Sequence, residues 1–259
     1  MTLKVEGVTC RYGGKEVLHG ITFSSNAKII AVVGPNAAGK SSLIKCIAGQ
    51  MHHGGRVSFN GTEIGREEAA SADMVGYMPQ QHMNPVSMTV YETILLGRLN
   101  HIRWSPSQND RRIVDHAIHE LSLDPIADKR INELSGGQMQ MVSIAQALVK
   151  EPELLLMDEP TNNLDLQKQL EMFEVVRVLS EQRGLVTVMI LHDLNMASRF
   201  ADEIVVLSGG EVYAQGKPEE ITTQEMLRDV YHIDADVVED RDGLPHVIAY
   251  GSLDEGGKT

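Results

Sequence analysis

The segment from Gly34 to Ser41 has the sequence Gly-Pro-Asn-Ala-Ala-Gly-Lys-Ser, a G-x-x-x-x-G-K-S pattern. Glycines at these places let backbone N–H groups curl around phosphate oxygens, and the N-terminus of a following helix adds a positive field. Lys40 is then placed to reach the β- and γ-phosphates of a nucleotide, and Ser41 to coordinate Mg²⁺. The alternative is a glycine-rich turn without a ligand. The residues predicted to line this phosphate-binding loop are Gly34, Pro35, Asn36, Ala37, Ala38, Gly39, Lys40, Ser41 and Ser42.

Two carboxylates form a second candidate group. The apolar run Leu154–Met157 is followed directly by Asp158 and Glu159. At the carboxyl edge of a parallel sheet, such carboxylates meet the ligand. Asp158 would hold the Mg²⁺ shell, and Glu159 would polarise the attacking water. Alone, the pair would be better explained as a helix cap, but the phosphate-binding loop upstream favours the catalytic interpretation.

The segment Ser135-Gly136-Gly137-Gln138 has two interpretations. A serine followed three residues later by glutamine is a capping box, which only starts a helix. Two consecutive glycines inside that box are unfavourable for helix formation, however. They are useful where a phosphate must approach the backbone closely. We therefore expect a helix from Gln138 to Val149 whose N-terminus points at an anion.

These groups need a scaffold, and the apolar runs indicate one. Ile29–Val33 and Val186–Leu191 resemble Leu154–Met157 in being continuously apolar, as expected of parallel strands that are buried on both faces. A helix is predicted over about 40–48. A second one carries Leu166, Leu170, Phe173 and Val176 at helical spacing and stops at Gly184. Strand, helix and strand in this order predict a doubly wound α/β core.

The middle and the end of the chain have other patterns. From about residue 90 to 150 the periodicity is helical, with Ser105 predicted as a cap and Pro106 as the first helical residue. A helical face follows at Ile113, Val114, Ala117, Ile118 and Leu121. Beyond Pro218 we expect one more helix and a hairpin that turns at Asp242-Gly243. The polar tail GSLDEGGKT is expected to be disordered.

Composition limits the class of protein. The net charge of −13 argues against a surface for nucleic acid or anionic lipid. Cys10 and Cys46 form neither a CxxC pair nor a zinc spacing, which fits a reducing, intracellular setting. The N-terminus does not resemble a signal peptide. Every apolar run is far shorter than the roughly 20 residues of a membrane span, so we expect any membrane role to depend on a partner.

The order of the motifs gives the chain a family resemblance. LSGGQ at 134–138 lies between the G-x-x-x-x-G-K-S loop and LLLMDEP, and it resembles the signature of the ABC ATPases. The resemblance covers nearly the whole chain. It implies an α/β fold of the P-loop NTPase (RecA-like) class, with a parallel-sheet core, an N-terminal antiparallel β subdomain and an inserted α-helical lobe. The ATPase domain would cover 1–217, with the lobe at about 88–150, and a C-terminal extension would cover 218–259.

The resemblance also implies roles for single residues. Tyr12 resembles the aromatic that stacks on adenine, and Gln80 resembles the Q-loop glutamine, which contacts Mg²⁺ and senses a membrane partner. Asn163-Leu164-Asp165 resembles the D-loop at a dimer seam, and His192 the switch histidine at the γ-phosphate. Without the shared order, simpler interpretations would apply: Tyr12 would have a packing role and Gln80 would be a loop amide. Asp165 would be a helix N-cap and His192 a structural histidine.

Some residues depart from the family pattern. Ala37 occupies a place where glycine is usual, and Ser42 one where threonine is usual. A small residue at position 37 should not block phosphate contact. Met139, Met141 and Gln146 occupy positions that often carry arginine, which puts in doubt the usual ion pairs around the signature helix. Met78, Met83 and Met88 suit a groove for a partner helix, or equally core filling.

As implied by the family, ATP lies between the phosphate-binding loop of one copy and Ser135, Gly136, Gly137 and Gln138 of another in a head-to-tail homodimer, with Mg²⁺ held by Ser41, Gln80 and Asp158. Segments outside this site, such as AQGKP at 214–218, resemble the importers of ferric siderophores, haem and cobalamin. Expected partners are transmembrane permease subunits and, indirectly, a substrate-binding protein, at the cytoplasmic face of the cell membrane. Ferric siderophore is the first choice of substrate.

Two rival interpretations come from other classes. A soluble ABC ATPase acting on ribosomes or DNA usually has tandem modules or a long coiled coil, and this chain has one module and no sustained heptads. A P-loop kinase would explain Gly34 to Ser41. It would assign no role to the segment Ser135 to Gln138 or to His192.

Overall fold

The computed structural model describes residues 1–65, 73–80, 88–102, 104–162 and 164–253. Met83, Asn163 and the tail 254–259, for which the sequence led to predictions, lie outside these residues. The chain divides into two compact units. The first contains the described residues up to 65 and from 188 onward, and the second contains those from 73 to 187.

The strands are β1 (Leu3–Tyr12), β2 (Lys15–Ser25), β3 (Ile29–Val33), β4 (His53–Phe59), β5 (Thr62–Glu63), β6 (Val75–Met78), β7 (Leu154–Met157), β8 (Val186–Ile190), β9 (Glu203–Ser208), β10 (Glu211–Gly216), β11 (Ile233–Glu239) and β12 (Pro245–Ser252). The α-helices are α1 (Lys40–Ile47), α2 (Val90–Leu96), α3 (Gln108–Glu120), α4 (Gly136–Leu148), α5 (Leu166–Arg183), α6 (Leu194–Phe200), α7 (Pro218–Ile221) and α8 (Gln224–Tyr231). None of the helices in the described ranges is both long and apolar enough to span a bilayer.

The first unit begins with an antiparallel sheet of order β2-β1-β4-β5. Alternation along β1 buries Leu3, Val5, Val8 and Cys10, and the register shifts between Val5 and Val8. Gly7 lies in that shift with a φ of 60°. This sheet is the N-terminal antiparallel β subdomain that the family resemblance implies.

The phosphate-binding loop belongs to the parallel part of the first unit. Strand β3 pairs in parallel with β9, and β9 pairs antiparallel with β10. All of β3 is buried, as its continuous apolar sequence predicts. After β8, the main-chain N–H of Leu191 bonds to the carbonyl of Val32 at 3.2 Å, which fixes the segment leading to His192 beside β3.

The end of the first unit differs from the sequence prediction. Two helices, α7 and α8, follow Pro218 where one was predicted. The chain leaves α7 because Thr223 starts a new helix, its hydroxyl accepting a bond from the N–H of Met226 at 3.1 Å. The predicted hairpin is confirmed as β11 and β12, with Gly243 at a φ of 78° in the connecting turn.

The second unit contains the parallel pair β6 and β7 and the helices α2 to α5. The predicted cap at Ser105 is wrong, because α3 begins at Gln108 with Ser107 as its N-cap. Ser107 and Asp110 exchange bonds in a reciprocal box, with the Asp110 N–H donating to the Ser107 hydroxyl and the Ser107 N–H to the carboxylate. The carboxylate also pairs with the buried Arg98, so this helix start is joined to a buried ion pair.

Helix α5 confirms the predicted stop, since Gly184 follows it with a φ of 64°. The predicted face is only partly a core face. Phe173 and Val176 are buried, but Leu166 and Leu170 are 61% and 37% exposed. Periodicity identified the helix without identifying which of its residues are covered.

Candidate functional site

The phosphate-binding loop connects β3 to α1 and has a strained backbone. Gly34, Ala37 and Gly39 have φ angles of 145°, 63° and 98°. A Cβ at Gly34 would lie 2.1 Å from the carbonyl oxygen of Leu207, so only glycine fits there. Ala37 adopts a left-handed conformation that favours glycine, the residue usual in the family. The alanine therefore keeps the shape of the loop at a cost in strain.

Lys40 is the first residue of α1 and is 6% exposed. Its Nζ donates hydrogen bonds to the carbonyl oxygens of Gly34 and Pro35, at 2.7 and 2.8 Å. The ammonium group is therefore held over the loop that it is predicted to serve. Ser41 and Ser42 follow in the first turn and are half-buried. The outer edge of the loop at Asn36 and Ala37 is exposed.

Two further candidate residues lie in the first unit. Tyr12 ends β1 and is 72% exposed, so the structure does not support a packing role. His192 is exposed just past β8. The next residue, Asp193, caps α6 by accepting bonds from the N–H groups of Asn195 and Met196 at 2.8 and 3.1 Å. The histidine is thus held between a buried strand and a capped helix.

In the second unit, β7 ends at the two carboxylates. Asp158 is 1% exposed, and its N–H donates to the carbonyl oxygen of Met78 on β6 at 2.9 Å. Glu159 has a φ of 53°, a left-handed conformation that is uncommon for a residue other than glycine. Its carboxylate accepts hydrogen bonds from the side-chain amides of Gln80 and Asn162. The structure therefore brings Gln80 and Glu159 together.

Asn162 and Tyr77 were not singled out from the sequence. Tyr77 pairs with Leu156, so its side chain lies on the same face of the sheet as Asp158, two residues further along. Burial first, and then the Asp158 carboxylate, raise the pKa of the Tyr77 hydroxyl above its ordinary value. The alternation of β6 beside β7 is the signal that could have identified Tyr77.

The signature segment is a helix start. Ser135 caps α4, its hydroxyl accepting from the N–H of Gln138 at 3.3 Å while the Gln138 amide oxygen accepts from the Ser135 N–H at 3.0 Å. The helix begins at Gly136, two residues earlier than predicted. Ser135 and Gly136 are exposed. The capping-box interpretation is thus correct in geometry, and the box leaves the glycine backbone accessible.

Asp165 is the N-cap of α5. Its carboxylate accepts a bond from the N–H of Lys168 at 2.9 Å. The side chain of Lys168 runs along Gly137, where a Cβ would meet its Cδ at 3.4 Å. The D-loop aspartate and the signature glycines are therefore linked through one lysine within the second unit.

Comparison with known proteins agrees with this arrangement. The family model described as ABC transporter matches residues 18–162, which include the phosphate-binding loop, the signature segment and both carboxylates. The match covers more than half of the chain.

Curated relatives match along almost all of their length. The iron(3+)-hydroxamate import ATP-binding protein of Bacillus subtilis is 36% identical over 96% of this chain and 95% of its own. The hemin import ATP-binding protein of Bradyrhizobium diazoefficiens is 37% identical over 92% of this chain and 91% of its own.

Solved structures give the same result. An inward-facing ABC transporter, provisionally assigned to the metal-chelate type, superposes with a TM-score of 0.83 at 26% identity, over 96% of this chain and 97% of that one. A dimeric bacterial ABC transporter cassette has a TM-score of 0.72 at 27% identity, over 83% and 98%. The chain therefore belongs to the ABC transporter family, as an ATP-binding subunit that hydrolyses ATP.

Proposed function

We propose that the protein powers the uptake of a ferric siderophore through a separate permease, bound peripherally at the cytoplasmic face of the cell membrane. The observation that carries the ATP-driven part of the proposal is the phosphate-binding loop. The carbonyl oxygens of Gly34 and Pro35 hold the Lys40 ammonium group over this loop. The direction of transport and the class of substrate rest on the relatives described above, which are named for import.

Binding of ATP is assigned to residues of the first unit. The loop residues from Gly34 to Ser42 would surround the phosphates with backbone N–H groups, and the exposed ring of Tyr12 would stack on adenine. Lys40 would exchange its two carbonyl partners for the β- and γ-phosphate oxygens. This exchange costs little reorganisation, because the ammonium group already lies over the loop.

The donor set is chemically suited to Mg²⁺. The side chains of Ser41, Gln80 and Asp158 offer a hydroxyl, an amide carbonyl and a carboxylate, which are the oxygen donors that this hard cation prefers. When bound, Mg²⁺ would neutralise charge on the phosphate oxygens.

Hydrolysis is assigned to Glu159 and His192. The Glu159 carboxylate would orient the attacking water and accept its proton, and the Gln80 and Asn162 amides would keep that carboxylate in place. His192 would contact the γ-phosphate as it leaves.

We propose that two copies complete each ATP site. Ser135 to Gln138 of one copy would meet ATP held on the loop of the other, with Asp165 at the seam. In support, Ser135 and Gly136 are exposed and begin a helix whose first N–H groups suit an anion. Hydrolysis would then require closure of the dimer, which could drive a membrane partner.

The permease contact is assigned to the second unit. A cavity of about 480 Å³ is lined by Met88, Leu96, Leu99, Trp104 and their neighbours, and Trp104 is 99% exposed. Its apolar lining suits a helix of a partner protein. Met88 belongs to this cavity, whereas Met78 is buried in the core.

Haem is the second candidate substrate, because hemin import proteins are among the relatives at similar identity. Cobalamin import remains part of this alternative. The ATP site is the same in all three cases, so the permease and its binding protein would decide between them.

The test uses a tagged Glu159→Gln variant, purified with ATP from native membranes in mild detergent, with Lys40→Ala as the matched control that should not close on ATP. We expect a polytopic permease to co-purify with Glu159→Gln only. Its binding protein can then be titrated with ferric siderophores, haem and cobalamin. Recovery of ribosomes or DNA in place of a permease would overturn the import proposal and leave the ATPase assignment intact.

A further inference from the structure

The C-terminal hairpin is bonded to the helix that follows His192. The side chain of Asn195, in the first turn of α6, bonds to the main chain of Val247 on β12 in both directions. Its Nδ2 donates to the Val247 carbonyl at 3.2 Å, and its Oδ1 accepts from the Val247 N–H at 2.7 Å. The Asn195 amide therefore satisfies the main-chain N–H and C=O of Val247, as a neighbouring strand would.

A second link joins the other end of α6 to the same hairpin. Arg199 donates to the carboxylates of Asp240 and Asp242 in the turn, at 3.1 and 3.0 Å. Helix α6 is thus held at both ends by the hairpin. Because Asp193 caps α6 and directly follows His192, the position of the helix determines the position of the histidine backbone.

We propose that the C-terminal hairpin, β11 and β12, positions one part of the ATP site: it holds His192 through Asn195 and Arg199 of α6. This inference rests on the proposed role of His192. The hairpin lies outside the residues that the family model matches. Asn195 and Arg199 are therefore positioning residues, which would not themselves contact ATP.

The hairpin link predicts a specific kinetic effect. A displaced His192 would still allow ATP to bind, so loss of the Asn195 bonds should lower kcat and leave the affinity for ATP unchanged. A general loss of fold would change both quantities together.

For the hairpin, the variant is Asn195→Ala and the matched control is Gln224→Ala. Gln224 also uses its side-chain amide within the extension, but it donates to Asp236 on β11 at 2.8 Å and not to α6. We expect Asn195→Ala to lower kcat about tenfold, since small misplacements of catalytic groups cost this much or more. The control should keep the wild-type kcat. An unchanged kcat in a folded Asn195→Ala protein would overturn the proposal.

A double-mutant cycle separates positioning from general damage. If the hairpin acts through His192, then Asn195→Ala should have no further effect on kcat in a His192→Ala background. Multiplicative losses would contradict the proposal. Should Asn195→Ala fail to fold, Arg199→Gln removes the outer link only. It should lower kcat in the same direction, and an unchanged kcat would again contradict the proposal.

If the proposed function were wrong, the experiments would give a different set of results. Wild-type protein that does not hydrolyse ATP, or a Lys40→Ala variant that binds ATP normally, would contradict the site assignment itself. A wild type that is active and sensitive to Lys40→Ala, together with silent Asn195 and Arg199 variants, would contradict only the role of the hairpin.

Discussion

The side-chain amide of Gln80 donates a hydrogen bond to the carboxylate of Glu159. Asn162 donates to the same carboxylate oxygen, Oε2. The backbone of Glu159 is left-handed, with a φ of 53°. Strained conformations of this kind cost about 1–3 kcal/mol and persist where the surrounding structure imposes them. Two amide donors and a buried strand thus fix the one carboxylate to which the attacking water is assigned.

Replacing that carboxylate should separate binding from hydrolysis. In Glu159→Gln the amide can still bond to its neighbours, but it cannot accept a proton from water. We expect ATP to bind with wild-type affinity and hydrolysis to fall about 100-fold or more. Phosphate release under single-turnover conditions measures the effect. A variant that hydrolyses ATP at the wild-type rate would remove Glu159 from this role.

Removing the loop ammonium should abolish tight binding. Lys40→Ala leaves the carbonyls of Gly34 and Pro35 without their donor and the phosphates without their cation. We expect the affinity for ATP to fall about tenfold or more, as for the loss of a charge-assisted bond. Lys45→Ala, on an exposed face of the same helix, is the control and should bind normally. Unchanged affinity in Lys40→Ala would argue against the assignment of the loop.

Gly34 and Gly7 both have positive φ angles, and a comparison of their alanine variants distinguishes steric collision from backbone strain. At Gly34 an alanine Cβ would collide with the main chain of Leu207, whereas at Gly7 nothing lies within 4 Å. We expect Gly34→Ala to destabilise the protein by about 4 kcal/mol or more, and Gly7→Ala by only about 1 kcal/mol. Urea unfolding of both variants would check this order, and equal effects would mean that the collision is relieved by movement of β9.

The buried pair of Arg98 and Asp110 supports the second unit. The two side chains are each 6% exposed, and the Arg98 Nη2 lies 3.0 Å from the Asp110 carboxylate. Asp110→Asn leaves a buried guanidinium without this counter-charge, although Glu151 lies 3.6 Å away and is exposed. We expect a loss of roughly 3 kcal/mol in the free energy of unfolding. Asp128→Asn, at an exposed carboxylate in the same unit, should have no measurable effect.

The same carboxylate predicts a pH dependence. Bonds from Ser107, and then the Arg98 guanidinium, lower the pKa of Asp110 from 3.8 to about 2. Because the folded state holds this proton less tightly than the unfolded state, the stabilisation is present above about pH 4 and is lost as the pH falls toward 2. The stability difference between wild type and Asp110→Asn should therefore shrink across that window. A constant difference down to pH 2 would contradict the pairing.

The elements that were predicted correctly are those determined by interactions between residues close together in the sequence. Strands β3 and β7 have the predicted bounds, because continuous apolar runs beside glycine and acidic residues leave few alternatives. The Ser135 box and the Gly184 stop follow from capping chemistry. The start of α3 was misplaced because Ser105 and Ser107 both fit the pattern. Only the burial of Asp110 beside Arg98 distinguishes them, and that contact is not visible in the sequence.

Other features depend on contacts between distant parts of the chain. Asn195 and Val247 are 52 residues apart, and nothing near either residue indicates the other. The exposed positions of Leu166 and Leu170 likewise could not be predicted, since periodicity defines a face without showing whether another element covers it. In the candidate site, Tyr77 was missed because its partner Asp158 is distant in the sequence, whereas Asn162 lies only three residues from Glu159 and was not singled out. Their partners, the two acidic residues, were found because they end a strand.

The lysine that bonds to its own loop has a consequence for the catalytic cycle. Between turnovers Lys40 is not left as a bare buried cation, because the carbonyl dipoles of Gly34 and Pro35 solvate it. Departure of ADP is then a competition between two sets of oxygen ligands for one ammonium group, and it requires no rebuilding of the backbone. The loop can therefore return to its ligand-free state without a backbone rearrangement, and other steps of the cycle can limit the turnover rate.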